Sequence, residues 1–286
     1  MKPLPTWFRL FMRVVSVIPA LGSAVGWRLF WQLGAPATVR ANERAFHDNA
    51  RTTRTGDIVT YEWGDGEKVV LLVHGWRSRA ARFAAIATSL VARGYTVVSF
   101  DARGNGDSGG DRTHAYEYVD EINHLAARYG RFEAIIAHSL GTIATFVAVR
   151  GGVRTRRIVA IAGPYDFRSV VRTFTTAVGM PPAAIRSLHR RIGRWARPRH
   201  PDIWRELVSE LDPTDYSTPL LVVHDSADRE APLEQAMEIV EAHTGSVETL
   251  ITDGLGHNRI LSDTAVVERI ARFVDSPIGA PRGAPA

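Results

Sequence analysis

The sequence predicts an α/β fold in which helices cover both faces of a mostly parallel, twisted sheet. Two observations lead to this prediction: short strand-like runs alternate with helical patterns, and most of these runs are apolar without alternating polarity. Continuous apolar runs are typical of strands that are buried on both faces. Alternation of strand and helix is typical of one open parallel sheet, whose functional site lies at the carboxyl ends of its strands.

The alternating elements are placed in one domain, residues 41–275. The predicted strands are residues 58–63, 69–74, 96–101, 134–138, 157–162, 220–225 and 247–252. The predicted helices between and after them are residues 80–93, 115–128, 140–149, 233–243 and 263–274. No internal repeat is visible along this order.

Residues 165–212 do not fit the alternation, because they carry helical runs but no strand. Such an excursion from the carboxyl edge of the sheet is predicted to be a helical lid over the site. Between residues 165 and 200 it holds eight arginines against one acid, Asp166. These arginines could recognise an acidic group of the substrate, hold the protein near an anionic membrane, or face solvent.

The N-terminal extension, residues 1–40, has an amphipathic helical pattern with Arg9 and Arg13 on its polar face. Its longest uncharged run has 14 residues and contains Pro19, whereas a transmembrane helix needs about 20 apolar residues. A helical hairpin is therefore predicted, which either packs on the protein or makes peripheral membrane contact through residues 7–33. The apolar residues at helical spacing are Trp7, Leu10, Phe11, Val14, Ile18, Leu21 and Val25.

Two further expectations concern the location of the protein and the end of the chain. The expected location is cytoplasmic, and association with a membrane is left open. Residues 276–286 have no apolar period and are predicted to be disordered.

The composition excludes several kinds of site. The 286 residues include no cysteine, so a disulfide, a thiolate nucleophile and a cysteine-ligated zinc ion are impossible. The ten histidines show no metal-ligand spacing, and neither a metal nor a cofactor is expected. The net charge is +5, but the basic segment has no aromatic stacking pattern beyond Trp195 and Trp204, so no nucleic-acid partner is expected.

The stretch "AHSLG" places Ser139 where a buried strand turns directly into a buried helix. So tight a turn strains the middle residue and crowds the positions two before and two after it, where Ala137 and Gly141 are small. The turn holds the serine hydroxyl out at the top of the sheet, as in the nucleophile elbow G-x-S-x-G. The alternative is a serine that only caps the following helix.

A serine nucleophile needs two backbone N–H groups directed at the oxyanion that develops on the substrate. One is expected from Leu140, which follows Ser139. The other is expected from the loop after strand 69–74, where Trp76 follows His74 and Gly75. The alternative reading of His74-Gly75 is a simple turn that ends the strand.

An acid and a base follow the last two predicted strands. Asp228 lies in the loop after strand 220–225, where its carboxylate could orient an imidazole. Asp225, at the end of that strand, is the rival acid and could instead cap the loop. His257 follows strand 247–252 in a glycine-containing loop, and the pKa of histidine suits a proton carrier near neutral pH.

The segments "HGW", "FDARGNGDSGG", "AHSLGT", "HDSADREAP" and "GLGH" together resemble the α/β-hydrolase family, over nearly all of residues 58–274. The resemblance implies Ser139 as nucleophile, His257 as base and Asp228 as its orienting acid. It implies an oxyanion hole from the backbones of Trp76 and Leu140, and no cofactor.

Other residues within the family-like segments are expected to support this site or the fold. Gly75 and His138 are placed beside the substrate, and no chemical role is given to Asp101 or Arg103. This chain departs from the family pattern at two positions: Ala137 stands where the elbow has its first glycine, and Asp225 stands where glycine is frequent.

The function implied is hydrolysis of a small-molecule carboxylic ester through an acyl-enzyme intermediate. Thioesters, lactones, amides and carbon–carbon bonds are cleaved on the same fold and stay open as alternatives. A protein that binds a ligand without turnover is the alternative of a different class. The sequence predicts no oligomeric state.

Overall fold

The computed structural model describes residues 5–32, 34–211, 218–243 and 245–277, and its centre is one eight-stranded sheet. The strand order is β1-β2-β4-β3-β5-β6-β7-β8, with antiparallel pairing only for β1–β2 and β2–β4. The predicted mostly parallel α/β sheet is therefore confirmed. The strands are β1 (Arg51–Thr55), β2 (Ile58–Trp63), β3 (Val69–Val73), β4 (Thr96–Asp101), β5 (Ala134–His138), β6 (Ile158–Ile161), β7 (Leu220–Asp225) and β8 (Val247–Thr252).

Helices cover both faces of the sheet, because alternate residues of the central strands point to opposite sides. In β3, Leu71 and Val73 belong to one apolar core and Val70 and Leu72 to the other. The described helices are α1 (Thr6–Val15), α2 (Pro19–Trp31), α3 (Ala41–Asp48), α4 (Ala84–Val91), α5 (Ala115–Tyr129), α6 (Leu140–Arg150), α7 (Phe167–Val178), α8 (Pro182–Ala196), α9 (Ile203–Glu206), α10 (Leu233–Ala242), α11 (Gly256–Arg259) and α12 (Thr264–Asp275). Helix α4 is preceded by a 3₁₀ turn, Ala80–Phe83, so the predicted helix at 80–93 begins with a tighter coil.

Strand β1 was not predicted from the sequence. Its residues, "RTTRT", are all exposed and contain no apolar side chain. It forms because a two-residue turn folds it back on β2, with Thr55 opposite Ile58 and the left-handed Gly56 in the turn. Hydrogen-bonded pairing with the largely buried strand β2, rather than burial of its own side chains, holds this edge strand in place.

Helices α7, α8 and α9 form the insertion between β6 and β7, and the hairpin of α1 and α2 packs on it. The close approach needs small residues in α2: a Cβ on Gly26 would lie 2.9 Å from the sulfur of Met180. None of the helices in the described part of the chain has the length and apolarity to span a bilayer. Of the tail predicted to be disordered, residues 278–286 lie outside the described residues.

Candidate active site

Ser139 occupies a strained turn between β5 and α6, with φ 53° and ψ −126°. A positive φ is rare for a residue with a side chain and marks strain that the surrounding packing must hold. The surroundings are tight enough to do so. A Cβ on Gly75 would lie 2.8 Å from the Cβ of Ser139, and one on Gly141 would lie 2.5 Å from the carbonyl oxygen of Val73.

Replacement of Gly141 by alanine is expected to lower the free energy of unfolding by about 1–3 kcal/mol, because the added methyl group meets backbone rather than a movable side chain. Gly193→Ala is the matched control within helix α8, since its Cβ would meet nothing closer than 3.4 Å. The control should be neutral or stabilising by up to about 1 kcal/mol. Urea unfolding of both variants checks the difference, and equal midpoints would contradict it.

The structure brings together the three side chains that the sequence placed after separate strands. The Ser139 hydroxyl lies 3.0 Å from Nε2 of His257, and Nδ1 of the same ring lies 2.7 Å from Oδ2 of Asp228. The Asp228 carboxylate is fully buried, while the His257 side chain keeps a small exposed fraction. A proton can therefore pass from hydroxyl to imidazole, and a buried carboxylate faces the opposite ring nitrogen.

Asp228 is held as an anion by its surroundings. Its Oδ1 accepts hydrogen bonds from the backbone N–H groups of Glu230 and Ala231, at 2.7 and 3.1 Å. Burial alone would raise the pKa of this carboxyl, but the His257 ring and the two N–H groups lower it below its ordinary value. A carboxylate that stays charged fixes the N–H of His257 on Nδ1 and leaves Nε2 free to accept a proton.

Asp225, the rival acid, points elsewhere. Its Oδ1 accepts from the N–H of Ala227, and its Oδ2 accepts from the Thr252 hydroxyl and the Leu255 N–H, at 2.7 and 2.9 Å. These bonds join the end of β7 to the end of β8 and to the loop that carries the candidate base. The structure thus separates the two acids: Asp228 contacts the imidazole, and Asp225 supports the loop.

His138 lies beside His257, and it donates a hydrogen bond from Nε2 to the His257 backbone carbonyl at 2.8 Å. Its side chain is buried, and burial together with the neighbouring His257 lowers its pKa to about 3. It is therefore a neutral group that fixes the position of the His257 backbone. The sequence placed it beside the substrate, and it also lines the cavity described below.

The depressed pKa of His138 predicts a loss of stability in mild acid. The unfolded chain takes up a proton below about pH 6.5 and the folded chain only near pH 3, so this stability is complete above pH 6.5 and falls as the pH is lowered. His138→Gln is expected to flatten the dependence by about 1.4 kcal/mol per pH unit in that range. Urea unfolding at several pH values measures it. His124→Gln, on the exposed side of α5, should leave the slope as it is.

His74, which the sequence placed at the end of the predicted strand 69–74 without a role of its own, fixes the loop after β3. Its Nδ1 donates to the carbonyl of Gly75 at 2.6 Å, and its Nε2 accepts from the N–H of Ala102 at 3.0 Å. The Tyr118 hydroxyl donates to the same carbonyl. Because the peptide is trans, the N–H of Trp76 points to the opposite side.

A cavity of about 340 Å³ opens above the Ser139 hydroxyl. Gly75, Trp76 and Leu140 line it on the side of the sheet, and helix α7 supplies its other wall. The α7 residues in this wall, which sequence reasoning missed, are Ser169, Val170, Thr173 and Phe174. The site is thus a pocket with largely apolar walls and a nucleophile candidate at its base.

Asp101 and its neighbours stabilise the fold next to the site. Its buried carboxylate accepts from the N–H of Ala80 at 2.7 Å, from the N–H of Asp107 and from the Tyr61 hydroxyl, both at 2.8 Å. Arg103 pairs with Asp57 on the surface. Neither Asp101 nor Arg103 lines the cavity. Across the described ranges, no group of three or more histidine, aspartate or glutamate side chains could hold a metal ion.

Comparisons with known proteins agree with this architecture. A model of the "Alpha/beta hydrolase family" matches residues 70–270. A non-heme chloroperoxidase of Kitasatospora aureofaciens is 31% identical over 117 residues, which are 39% of this chain and 42% of that protein, so the match spans less than half of the relative.

Two solved structures extend the comparison over most of the chain. An esterase of Pyrococcus furiosus is similar with a TM-score of 0.59 and 18% identity, covering 84% of this chain and 95% of that one. A bacterial membrane phospholipase A is similar with a TM-score of 0.60 and 16% identity, covering 92% and 95%. At these identities the likeness concerns the fold.

Proposed function

Because the chain belongs to the α/β-hydrolase family, we propose that it is a serine hydrolase that cleaves a small-molecule carboxylic ester. One observation carries the proposal: a single imidazole, His257, lies within hydrogen-bonding distance of the Ser139 hydroxyl on one side and of a buried carboxylate on the other. A hydroxyl becomes a nucleophile when such a base takes its proton.

The proposed reaction has two halves. Nε2 of His257 accepts the proton of Ser139 as the hydroxyl oxygen attacks the ester carbonyl. The same nitrogen then gives that proton to the alcohol oxygen as the ester C–O bond breaks. The alcohol departs, and the acyl group stays bound to Ser139. A water molecule then gives a proton to Nε2 of His257 and attacks the acyl carbonyl carbon. The bond from that carbon to the Ser139 oxygen breaks, and His257 returns the proton to this oxygen, which releases the acid and restores the free serine. Asp228 stabilises the imidazolium in both halves.

The oxyanion is proposed to be held by the N–H groups of Trp76 and Leu140. Neither N–H donates to an acceptor among the described residues, and both residues line the cavity. Leu140 begins helix α6, so its N–H is at the positive end of the helix dipole. The Trp76 N–H is oriented by His74 and Tyr118, which bind the other edge of the same peptide. Two donors fixed before the reaction need no reorganisation as charge develops.

A carboxylic ester is the proposed substrate for two reasons. Its leaving group is an alcohol, which can receive the proton that His257 carries, and the largely apolar walls of the cavity suit an apolar acyl chain. The names esterase and phospholipase of two structural neighbours are in line with that choice. We further propose that residues 165–212 act as a lid, since α7 of this insertion lines the cavity above Ser139.

Two measurements test the proposal together. A panel of nitrophenyl esters of increasing acyl length should be hydrolysed, with a preference that falls once the chain exceeds the cavity. A fluorophosphonate probe should label the protein on the peptide that contains Ser139, as read by mass spectrometry. Labelling without ester turnover would favour another acyl bond, such as a thioester, lactone or amide. Neither labelling nor turnover would favour a ligand-binding protein without catalysis.

A further inference from the structure

Most of the large apolar side chains that are exposed on the described surface belong to the N-terminal hairpin. Seven of the ten large hydrophobic residues exposed in the described part of the chain lie between residues 7 and 21. Single exposed apolar residues are ordinary, but a continuous group of this size marks a site of interaction. We name this group the exposed apolar face; its members are Trp7, Leu10, Phe11, Val14, Val17, Ile18 and Leu21.

Helix α1 has two apolar sides, and only one of them packs on the protein. Met12 is fully buried, and Phe8 and Val15 pack against the core beside it. Residues 7, 10, 11 and 14 follow helical spacing on the other side and face solvent, with Trp7 69% exposed. The fold therefore does not need these four side chains for its own core.

The exposed apolar face is carried on helices that pack on the rest of the protein. Helix α2 lies close to the turn after α1, because a Cβ on Gly22 would lie 2.3 Å from the Ser16 hydroxyl oxygen. Helix α2 in turn packs along α8 of the insertion. An apolar side held out on packed helices is presented for contact.

The charge around this face is of one sign. Residues 5–39 contain three arginines and no aspartate or glutamate, and helix α8, which packs on α2, adds four arginines and no acid. Arg9 and Arg13 are exposed, and helical spacing places them on the strip of α1 between its buried apolar side and its exposed apolar side. A second copy of the chain would bring no carboxylate from this segment to pair with these arginines, whereas anionic lipid headgroups would neutralise them.

We propose that the exposed apolar face docks this protein on the surface of an anionic lipid bilayer. The apolar side chains enter the boundary between headgroups and acyl chains, and Arg9 and Arg13 bind the headgroups. Trp7 suits this boundary, where indole rings accumulate. The contact is peripheral, because no described helix could span the bilayer. The proposal stands independently of catalysis.

Flotation of the full chain with lipid vesicles tests the proposal. The protein should float with vesicles of equal parts phosphatidylglycerol and phosphatidylcholine, and much less with phosphatidylcholine alone. The double variant Trp7→Ser/Leu10→Ser should bind the anionic vesicles at least about tenfold more weakly. The matched control is Met237→Ser/Ile251→Ser, which removes two apolar side chains that are 42% and 43% exposed elsewhere, and it should bind like the native protein.

Further arms exclude the alternative explanations. Thermal unfolding followed by circular dichroism should give the same midpoint for native protein and both double variants. If Trp7→Ser/Leu10→Ser does not fold, Arg9→Glu/Arg13→Glu replaces it and should also lose at least about tenfold in binding to anionic vesicles. Native protein that does not float, or variants that bind as tightly as native, would overturn the proposal. A native dimer in sedimentation velocity that Trp7→Ser/Leu10→Ser dissociates, without vesicle binding, would assign the face to a second copy instead.

Discussion

Ser139→Ala is expected to lower kcat/KM for a nitrophenyl ester by about 10⁴- to 10⁶-fold. The loss is this large because the serine is proposed to form the covalent intermediate, and among the described residues no other hydroxyl is hydrogen-bonded to Nε2 of His257. The residual rate should come from the oxyanion donors and from substrate binding alone. Steady-state kinetics of native and variant protein, with the fluorophosphonate label as a second readout, measure the effect.

Ser78→Ala is the matched control, because it removes a second hydroxyl that lines the same cavity but does not contact the imidazole. It should lower kcat/KM by less than about tenfold, within the range of a lost binding contact. If Ser139→Ala kept the native rate, or if the two variants lost activity equally, Ser139 would not be the nucleophile.

Asp228→Asn is expected to lower kcat/KM by about 10³- to 10⁴-fold while the protein stays folded. The Asp228 Oδ1 accepts two backbone N–H groups, so the oxygen of an asparagine would take that position and its NH₂ group would face His257. The ring would then have to accept at Nδ1 and carry its proton on Nε2. That tautomer cannot take the proton of Ser139. Kinetics together with urea unfolding measure the two effects separately.

Asp225→Asn is expected to lower the stability of the protein and to leave its activity nearly unchanged, the opposite of Asp228→Asn. Its Oδ1 and Oδ2 accept three hydrogen bonds in total, so an NH₂ group at either position would oppose a donor. The free energy of unfolding should fall by about 1–3 kcal/mol. Activity measured well below the unfolding transition should change by less than about tenfold. A large loss of activity in this variant with native stability would return Asp225 as the catalytic acid.

Most of the sheet could be predicted because its central strands, β3 to β7, are buried on both faces. The predicted bounds 58–63, 96–101, 134–138, 220–225 and 247–252 coincide with the observed strands. Strand β1 was missed because it is exposed and polar, and pairing with β2 is what holds it. Periodicity detects burial, so a strand that owes its existence to a hairpin leaves no such trace.

The sequence could locate the members of the candidate site that are reactive side chains just after the end of a predicted strand. Ser139, Asp228 and His257 each follow a strand, and parallel strands bring their carboxyl ends to one edge of the sheet. The choice between Asp228 and Asp225 was not accessible in the same way, because it depends on which carboxylate the loops turn toward His257. His74 was missed because its role depends on hydrogen bonds to Gly75 and Ala102 that have no sequence pattern.

The N-terminal hairpin showed the limit of amphipathic patterns. The sequence singled out Trp7, Leu10, Phe11, Val14, Ile18, Leu21 and Val25, and the first six of these are exposed. Met12, Phe8 and Val15, which lie between them in the sequence, are the side chains of α1 that pack on the core. In a helix with two apolar sides, apolar residues recur at helical spacing on both sides. This pattern does not show which side packs against the rest of the protein.

Phe30 lies near the end of the hairpin and packs against the loop of the candidate oxyanion hole. Its ring centroid is 4.6 Å from that of Trp76 and 5.0 Å from that of Phe174. Phe30 is fully buried, so its removal would leave a void behind Trp76 and Phe174, two residues that line the cavity. A shortened chain without its first 32 residues, made to improve handling, would therefore lose the packing that supports Trp76 and Phe174 from behind. Rates measured on such a fragment would describe a damaged enzyme.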